Sequence, residues 1–378
     1  MISAFRNSVH SKRFLRIKSS GSGEKKFAHP TVYFSGIQPT GVPHLGNYFG
    51  FIKPWLAIQE NSNIQVFNFS FILLQREPST SSLYLSVVDY HAISAGPVDP
   101  QQMRQRILRM AAGLLACGVD PLRTNLFQQS TVTDHTNLMF TIGMLQTVSQ
   151  LQRLTHYKEK SAKFKAGSVP INLLIYPVLQ TADILLYKST HVPVGEDQTQ
   201  HLRLSRNLAA HFNTVFNTDY FPVPEQVTAE SVKIKSLRDP GKKMSKSDPS
   251  GRSRIDINDS EESIYEKCSK ALSDFQPDIT YEPEKRPAIS NLVSLYCAVN
   301  GKSPEEAVKE CSGLDTKDFK FKLATDLNRK LSPIREKYDA LMGDQGTIVE
   351  ILKDGAEKAQ QVAQKTMKDV RELIGFSL

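Results

Sequence analysis

The chain has 378 residues, 40% hydrophobic and 23% charged, enough for two domains with sizeable cores. That balance excludes low-complexity disorder, collagen and coiled coil. The apolar runs fall short of the roughly 18 residues of a membrane span. The cysteines (Cys117, Cys268, Cys297 and Cys311) form no CxxC pair, which argues against a disulfide scaffold or a Cys-rich zinc site and fits a reducing compartment. A net charge of +8 invites a nucleic-acid partner. Six of those eight charges, however, sit in residues 1–26, where seven Lys/Arg face Glu24 alone.

In chain order, residues 1–23 hold five basic residues, six serines and no acid. This composition predicts a mitochondrial transit peptide over 1–29; the alternative is a disordered basic tail of a cytosolic protein. Thr31-Val-Tyr-Phe34 reads as a first strand that breaks at Ser35-Gly36. A Gly/Pro-punctuated stretch follows, and a helix is expected from near Asn47. In Pro43-His44-Leu45-Gly46-Asn47, a helix start favours anions, Gly46 permits close approach, and His44 and Asn47 can donate to phosphate oxygens. The alternative is an ordinary Gly/Pro loop. Residues 61–82, apolar at first and then polar, read as an insertion: either a surface hairpin or a translated intron.

Leu83-Tyr-Leu-Ser-Val-Val88 is a buried-type strand ending at Asp89. Asp99, with Pro100 and Gln102, opens a helix over 100–117. Asn125-Leu-Phe-Gln128 is another short strand. The alternation predicts an α/β fold with a Rossmann-like parallel sheet over 30–258. Tyr176, Gln180 and Asp183 recur at i, i+4 and i+7, so one helical face can present all three. Asp183 lies among apolar neighbours in Thr181-Ala-Asp-Ile-Leu-Leu186, which sets it apart from a surface carboxylate. Lys242-Lys243-Met244-Ser245-Lys246-Ser247 places two lysines three apart on a loop, where they can neutralise a leaving polyphosphate; most such charge runs are only solvated surface. No P-loop pattern occurs. The remaining histidines (His91, His135, His156, His191, His201 and His211) show no metal-ligand spacing, so no metal site is expected; they read as structural or solvent-facing, with His91 best placed to line a site. Helix starts at Asp259, Ser303 and Thr347 predict an all-helical domain over 259–378. From residue 260 on it holds 18 basic and 21 acidic residues, so any RNA contact there needs a local patch.

An H-x-G-N loop followed about 200 residues later by K-M-S-K-S is the paired signature of class I aminoacyl-tRNA synthetases. Phe34-Ser-Gly-Ile-Gln-Pro-Thr-Gly41, Val88-Asp-Tyr-His-Ala92, Tyr157-Lys-Glu-Lys-Ser161, Ala182-Asp-Ile-Leu-Leu-Tyr187, Val192-Pro-Val-Gly-Glu-Asp-Gln198 and Lys243-Met-Ser-Lys-Ser247 resemble the bacterial and mitochondrial tryptophanyl-tRNA synthetases. Pro287-Ala-Ile-Ser-Asn-Leu292 and Gly355-Ala-Glu-Lys-Ala359 are similar too, so the resemblance spans about 31 to 375.

The resemblance implies ligation of tryptophan to tRNA(Trp) with ATP, Mg²⁺ carried on the triphosphate, a homodimer without membrane contact, and work in the mitochondrial matrix. It makes Asp183 the acceptor of the indole N–H, with Phe34, Tyr176, Gln180, Ile184, Val192 and Val194 around it. It gives catalytic roles to Lys243, Lys246 and His44. The remaining ATP positions are Gln38, Thr40, Gly46, Asn47, Lys158, Lys160, Gly195, Glu196, Asp197, Ile234, Met244, Ser245 and Ser247. The helical domain is implied to take the anticodon. The competing substrate is tyrosine, because tyrosyl enzymes share the Tyr-x3-Gln-x2-Asp pattern. A silent RNA-binding paralogue is disfavoured by the presence of Lys243, Lys246, His44 and Asp183.

Overall fold

A computed structural model describes residues 29–61, 82–165, 167–195, 198–227, 234–246 and 248–377. Residues 1–28 of the transit-peptide reading of 1–29, residues 62–81 of the insertion read at 61–82, and Glu196, Asp197 and Ser247 lie outside the described residues. The chain divides into two compact units.

The first unit, built on a sheet, comprises 22–227, 256–258 and 333–378. Strand β1 (Val32–Ile37) runs past the expected break at Ser35-Gly36. The following helix begins at α1 (Leu45–Asn47), two residues before the expected start, because His44 caps it. It continues through a π-helical stretch (Tyr48–Ile52) into α2 (Lys53–Asn61). Then come β2 (Ser82–Val87), α3 (Asp89–Ala92) and α4 (Pro100–Ala116), whose N-cap Asp99 accepts from the Gln102 amide at 2.8 Å. β3 (Asn125–Gln128), α5 (Asp134–Gly143), α6 (Val148–Gln152), α7 (Thr155–Ser161) and α8 (Ile171–Leu185) follow. β4 (His191–Pro193), α9 (Thr199–Val215) and β5 (Glu225–Val227) complete the run. All strand pairs are parallel, in the order β3-β2-β1-β4-β5. This is a doubly wound Rossmann-like sheet, whose order reverses between β1 and β4.

The second unit, helical, comprises 228–255 and 259–332 apart from the basic N-terminal stretch. It contains α10 (Glu261–Ser269), α11 (Pro287–Asn300), α12 (Pro304–Glu310) and the part of α13 (Thr316–Gly343) that precedes Pro333. Ser303 and Glu306 form the expected capping box. The expected cap at Asp259 is instead Ser260, whose hydroxyl accepts from the Ser263 amide.

The last helix, α14 (Gln345–Leu373), returns to the sheet unit. Asp344, not Thr347, caps it, accepting from the Thr347 amide and hydroxyl. Residues 259–378 therefore do not form one helical domain. The apolar face of α14 packs on β3, α4 and α5. Ala356, Ala359, Ala363, Met367 and Val370 join Phe127 and Leu138 in the core. By contact the lysine loop groups with the helical unit, although it lies within the 30–258 span read as the sheet domain. Among the described residues no helix is long and apolar enough to cross a membrane.

Candidate active site

In open parallel sheets, ligands bind outside the carboxyl ends of the strands, at the point where strand order reverses. In the sheet unit the chain leaves β1 towards His44. Its Nδ1 accepts from the Asn47 amide at 3.3 Å, while Asn47 Oδ1 accepts from the His44 amide at 3.1 Å. That cap uses His44 Nδ1 as an acceptor, so a neutral His44 carries its proton on Nε2. Gln38 and Thr40 are exposed before the cap, and Gly46 and Asn47 are half-buried on it. At β4, Val192 is buried, Val194 half-buried and Gly195 exposed; the Ser35 hydroxyl donates to the Pro193 carbonyl at 2.8 Å and ties β1 to this strand.

Asp183 occupies the buried face of α8 and is 1% exposed. Oδ2 accepts from His91 Nε2 at 2.7 Å; Oδ1 accepts from Gln129 Nε2 and His135 Nδ1, each at 2.7 Å. Burial pushes the Asp183 pKa up, but the hydrogen bonds from His135 and His91 and their nearby rings outweigh it, so the carboxyl is held well below the ordinary carboxylate range. Of about four acceptor positions on a carboxylate, three are filled. The His91 ring stands edge-on to Tyr176 at 6.2 Å, and the Tyr176 hydroxyl meets His201 Nε2 at 3.2 Å. Burial raises the pKa of Tyr176 to about 12, so its hydroxyl stays protonated. Lys160 Nζ sits 4.7 Å from the Tyr176 ring centre, and burial lowers its pKa; Lys158 is exposed on the same short helix. Gln180 is half-buried, whereas Phe34 and Ile184 are core side chains.

Sequence reasoning singled out Asp183 and placed His91 nearest a site, but read His135 as structural and passed over Gln129. The usable signal was position: Gln129 directly follows the end of β3 and His135 lies in the first turn of the next helix, α5, the region where a parallel sheet presents its functional side chains.

In the helical unit, the lysine loop is a narrow pair of extended segments. The Met244 amide donates to the Ile234 carbonyl at 3.2 Å, and the Ser236 amide to the Lys242 carbonyl at 2.9 Å. Met244 and Ile234 are buried anchors, which leaves their backbone rather than their side chains for any ligand. Lys243 is exposed; Ser245 and Lys246 are half-buried; Lys242 pairs with Asp239 at the surface. Asn291 of α11 pins the loop, accepting from the Lys235 amide at 3.2 Å and donating to the Ser236 carbonyl at 3.2 Å.

The family described as tRNA synthetases class I (W and Y) matches residues 25–332. The chain is 47% identical over 349 residues to the mitochondrial tryptophan–tRNA ligase of Caenorhabditis elegans, spanning 92% of each. It is 39% identical over 354 residues to the tryptophan–tRNA ligase of Caulobacter vibrioides, spanning 93% of this chain and 97% of the relative. The structure of tryptophanyl-tRNA synthetase from Campylobacter jejuni, complexed with ADP and tryptophan, aligns with a TM-score of 0.74 at 30% identity, over 91% of this chain and all 100% of that one.

Proposed function

The chain belongs to the class I tRNA synthetases, in the tryptophanyl branch of bacterial and mitochondrial type, and on that premise we propose that it charges tRNA(Trp) with L-tryptophan in the mitochondrial matrix. The reaction has two steps. A carboxylate oxygen of tryptophan attacks the α-phosphorus of ATP, the bond to the bridging oxygen breaks, and pyrophosphate leaves. The terminal 2′-hydroxyl of the tRNA then attacks the carbonyl carbon of the adenylate and AMP leaves. Step one needs no protein base, because the nucleophile is already ionised. The protein contributes position and charge.

The observation that carries the tryptophan reading is Asp183, a buried, ionised acceptor with one position left after His91, Gln129 and His135. An indole has a single N–H to donate and no ring acceptor to satisfy. A phenol also needs a donor, and the Tyr176 hydroxyl is engaged with His201. Lys243, Lys246, Lys158 and Lys160 supply charge to the phosphates, with His44 Nε2 and the Asn47 side-chain NH2 as further donors; Mg²⁺ enters on the triphosphate. Gln38, Thr40, Gly46 and Gly195 frame the adenosine side. The helical unit takes the anticodon arm.

The test is exchange of labelled pyrophosphate into ATP. Tryptophan supports it and tyrosine does not; equal exchange with both overturns the assignment. Lys246→Ala slows adenylate formation in single turnover by about a hundredfold, the scale of losing one transition-state charge contact. Its tryptophan Kd stays within about twofold, since a phosphate contact does not touch the amino acid. An unchanged rate removes the role given to Lys246.

The same reading includes a homodimer. Phe140 (86% exposed), Met144, Val148 and Ile171 are exposed apolar side chains on α5, just after it, on α6 and at the start of α8, and α5 and α6 each pack on α8. Apolar surface of this kind is costly to leave in water when it is contiguous. Phe140→Asp converts a sedimenting dimer to monomer; a monomeric wild type refutes the interface.

A further inference from the structure

The hydrogen bonds on Asp183 do not end at its immediate neighbours. His135 is fully buried, and its Nε2 lies 2.8 Å from the Tyr187 hydroxyl. The direction of the chain follows from its acid end. An ionised carboxylate only accepts, so His135 Nδ1 carries the proton that Asp183 Oδ1 receives. A neutral imidazole then has a bare Nε2, which accepts from the Tyr187 O–H. Tyr187 is equipped to remain a donor: burial, and then the charge of Asp183, push its pKa well above the ordinary value.

The hydroxyl is also held in place. The Tyr187 ring stacks on Phe34 at 5.6 Å and on Tyr84 at 4.5 Å, and stands against Phe127 at 5.7 Å. The segment bearing Gln129 and His135 is braced independently. Asp89 accepts from the Ser130 amide and hydroxyl and from Gln128 Nε2, while Gln360 of α14 donates to Asp134 at 2.8 Å.

We propose that Tyr187 and His135 are positioning residues for amino-acid selection: the chain Tyr187–His135–Asp183 fixes the carboxylate so that its remaining acceptor position meets a ring N–H and rejects a ring without one. The inference rests on tryptophan being the substrate of this site. Without the Tyr187 hydroxyl, His135 Nε2 loses its hydrogen-bond partner, so the ring is held only at its Asp183 end and orients the carboxylate less tightly. The N–H then matters less, although the pocket walls remain.

The test compares tryptophan with benzothienylalanine, whose ring carries sulfur where tryptophan carries N–H. In pyrophosphate exchange, Tyr187→Phe reduces the preference for tryptophan in kcat/KM by about tenfold, mainly through the KM for tryptophan, with the KM for ATP unchanged. A merely structural loss lowers both substrates together and leaves their ratio where it was, which overturns the proposal. Wild-type protein without tryptophan-dependent exchange refutes the substrate assignment instead, so the two failures are distinguishable. Nitrogen NMR of ¹⁵N-histidine wild-type enzyme, with the His135 signal assigned by its loss in His135→Asn, gives a reading independent of Tyr187→Phe folding. A proton on Nδ1 and a bare Nε2 are expected. The Nε2–H tautomer overturns the relay.

Discussion

Asp183→Asn lowers kcat/KM for tryptophan by a factor on the order of 10⁴, the scale on which sites built around one buried hydrogen bond reject a mismatched partner. The substitution keeps volume and shape but turns one acceptor oxygen into a donor. If the new amide replaces Oδ1 it faces Gln129 and His135; if it replaces Oδ2 it faces His91 and the incoming indole N–H. In either orientation donor opposes donor in a site closed to water. The variant also loses stability, by about 3 kcal/mol, as when one member of a buried charge-assisted network is removed. Calorimetric binding of tryptophan and urea denaturation check the two effects.

The pH dependence has a definite sign. The folded carboxyl titrates below its unfolded value of about 3.9, so its contribution to stability is complete above that pH and is lost as the pH falls through the folded value. Tryptophan affinity therefore shows no inflection from Asp183 between about pH 5 and 8. The acid limb of the stability curve flattens in Asp183→Asn. An unchanged acid limb contradicts the account.

Gly355→Ala is the second large effect, and it lies far along the chain in a helix with no assigned chemistry. A Cβ on Gly355 would stand 1.9 Å from the Leu126 carbonyl oxygen and 2.7 Å from its carbon. Both are strand backbone and neither can turn aside. Alanine normally favours a helix over glycine by about 1 kcal/mol. Here the collision reverses the sign, and the variant loses about 3 kcal/mol, the upper end of overpacking costs. Gly343→Ala at the end of α13, where a Cβ meets nothing within 4 Å, serves as the control and gains up to about 1 kcal/mol. Equal urea midpoints for Gly355→Ala and wild type contradict the close packing of α14 on β3.

What could be read from the amino acids alone depended on how local the information was. Asp99 with Gln102, and Ser303 with Glu306, are caps written in four residues. The apolar face of α14 is written in the sequence as Ile348, Ile351, Leu352, Ala359, Val362, Val370 and Leu373 at helical spacing. What covers that face is not, because periodicity says which side is buried and never against what. Placing the end of the chain on β3 needed the third dimension, and the domain boundary moved with it. Asp344 and Thr347 are both good capping residues three apart, and local preference alone does not choose between them. Asp183 stood out by its apolar neighbours, but its partners come from the ends of other elements, 92, 54 and 48 residues upstream. Only the strand order brings those ends together.

The contact at Gly355 also bears on how the chain comes into being. β3 (Asn125–Gln128) is synthesised long before α14 (Gln345–Leu373), the helix that packs on it. Until then the face of β3 that meets α14 lacks that cover. Every earlier element must wait, shielded by other proteins or at risk of aggregation. A premature stop anywhere before Gln345 yields an unfinished sheet rather than a shortened enzyme.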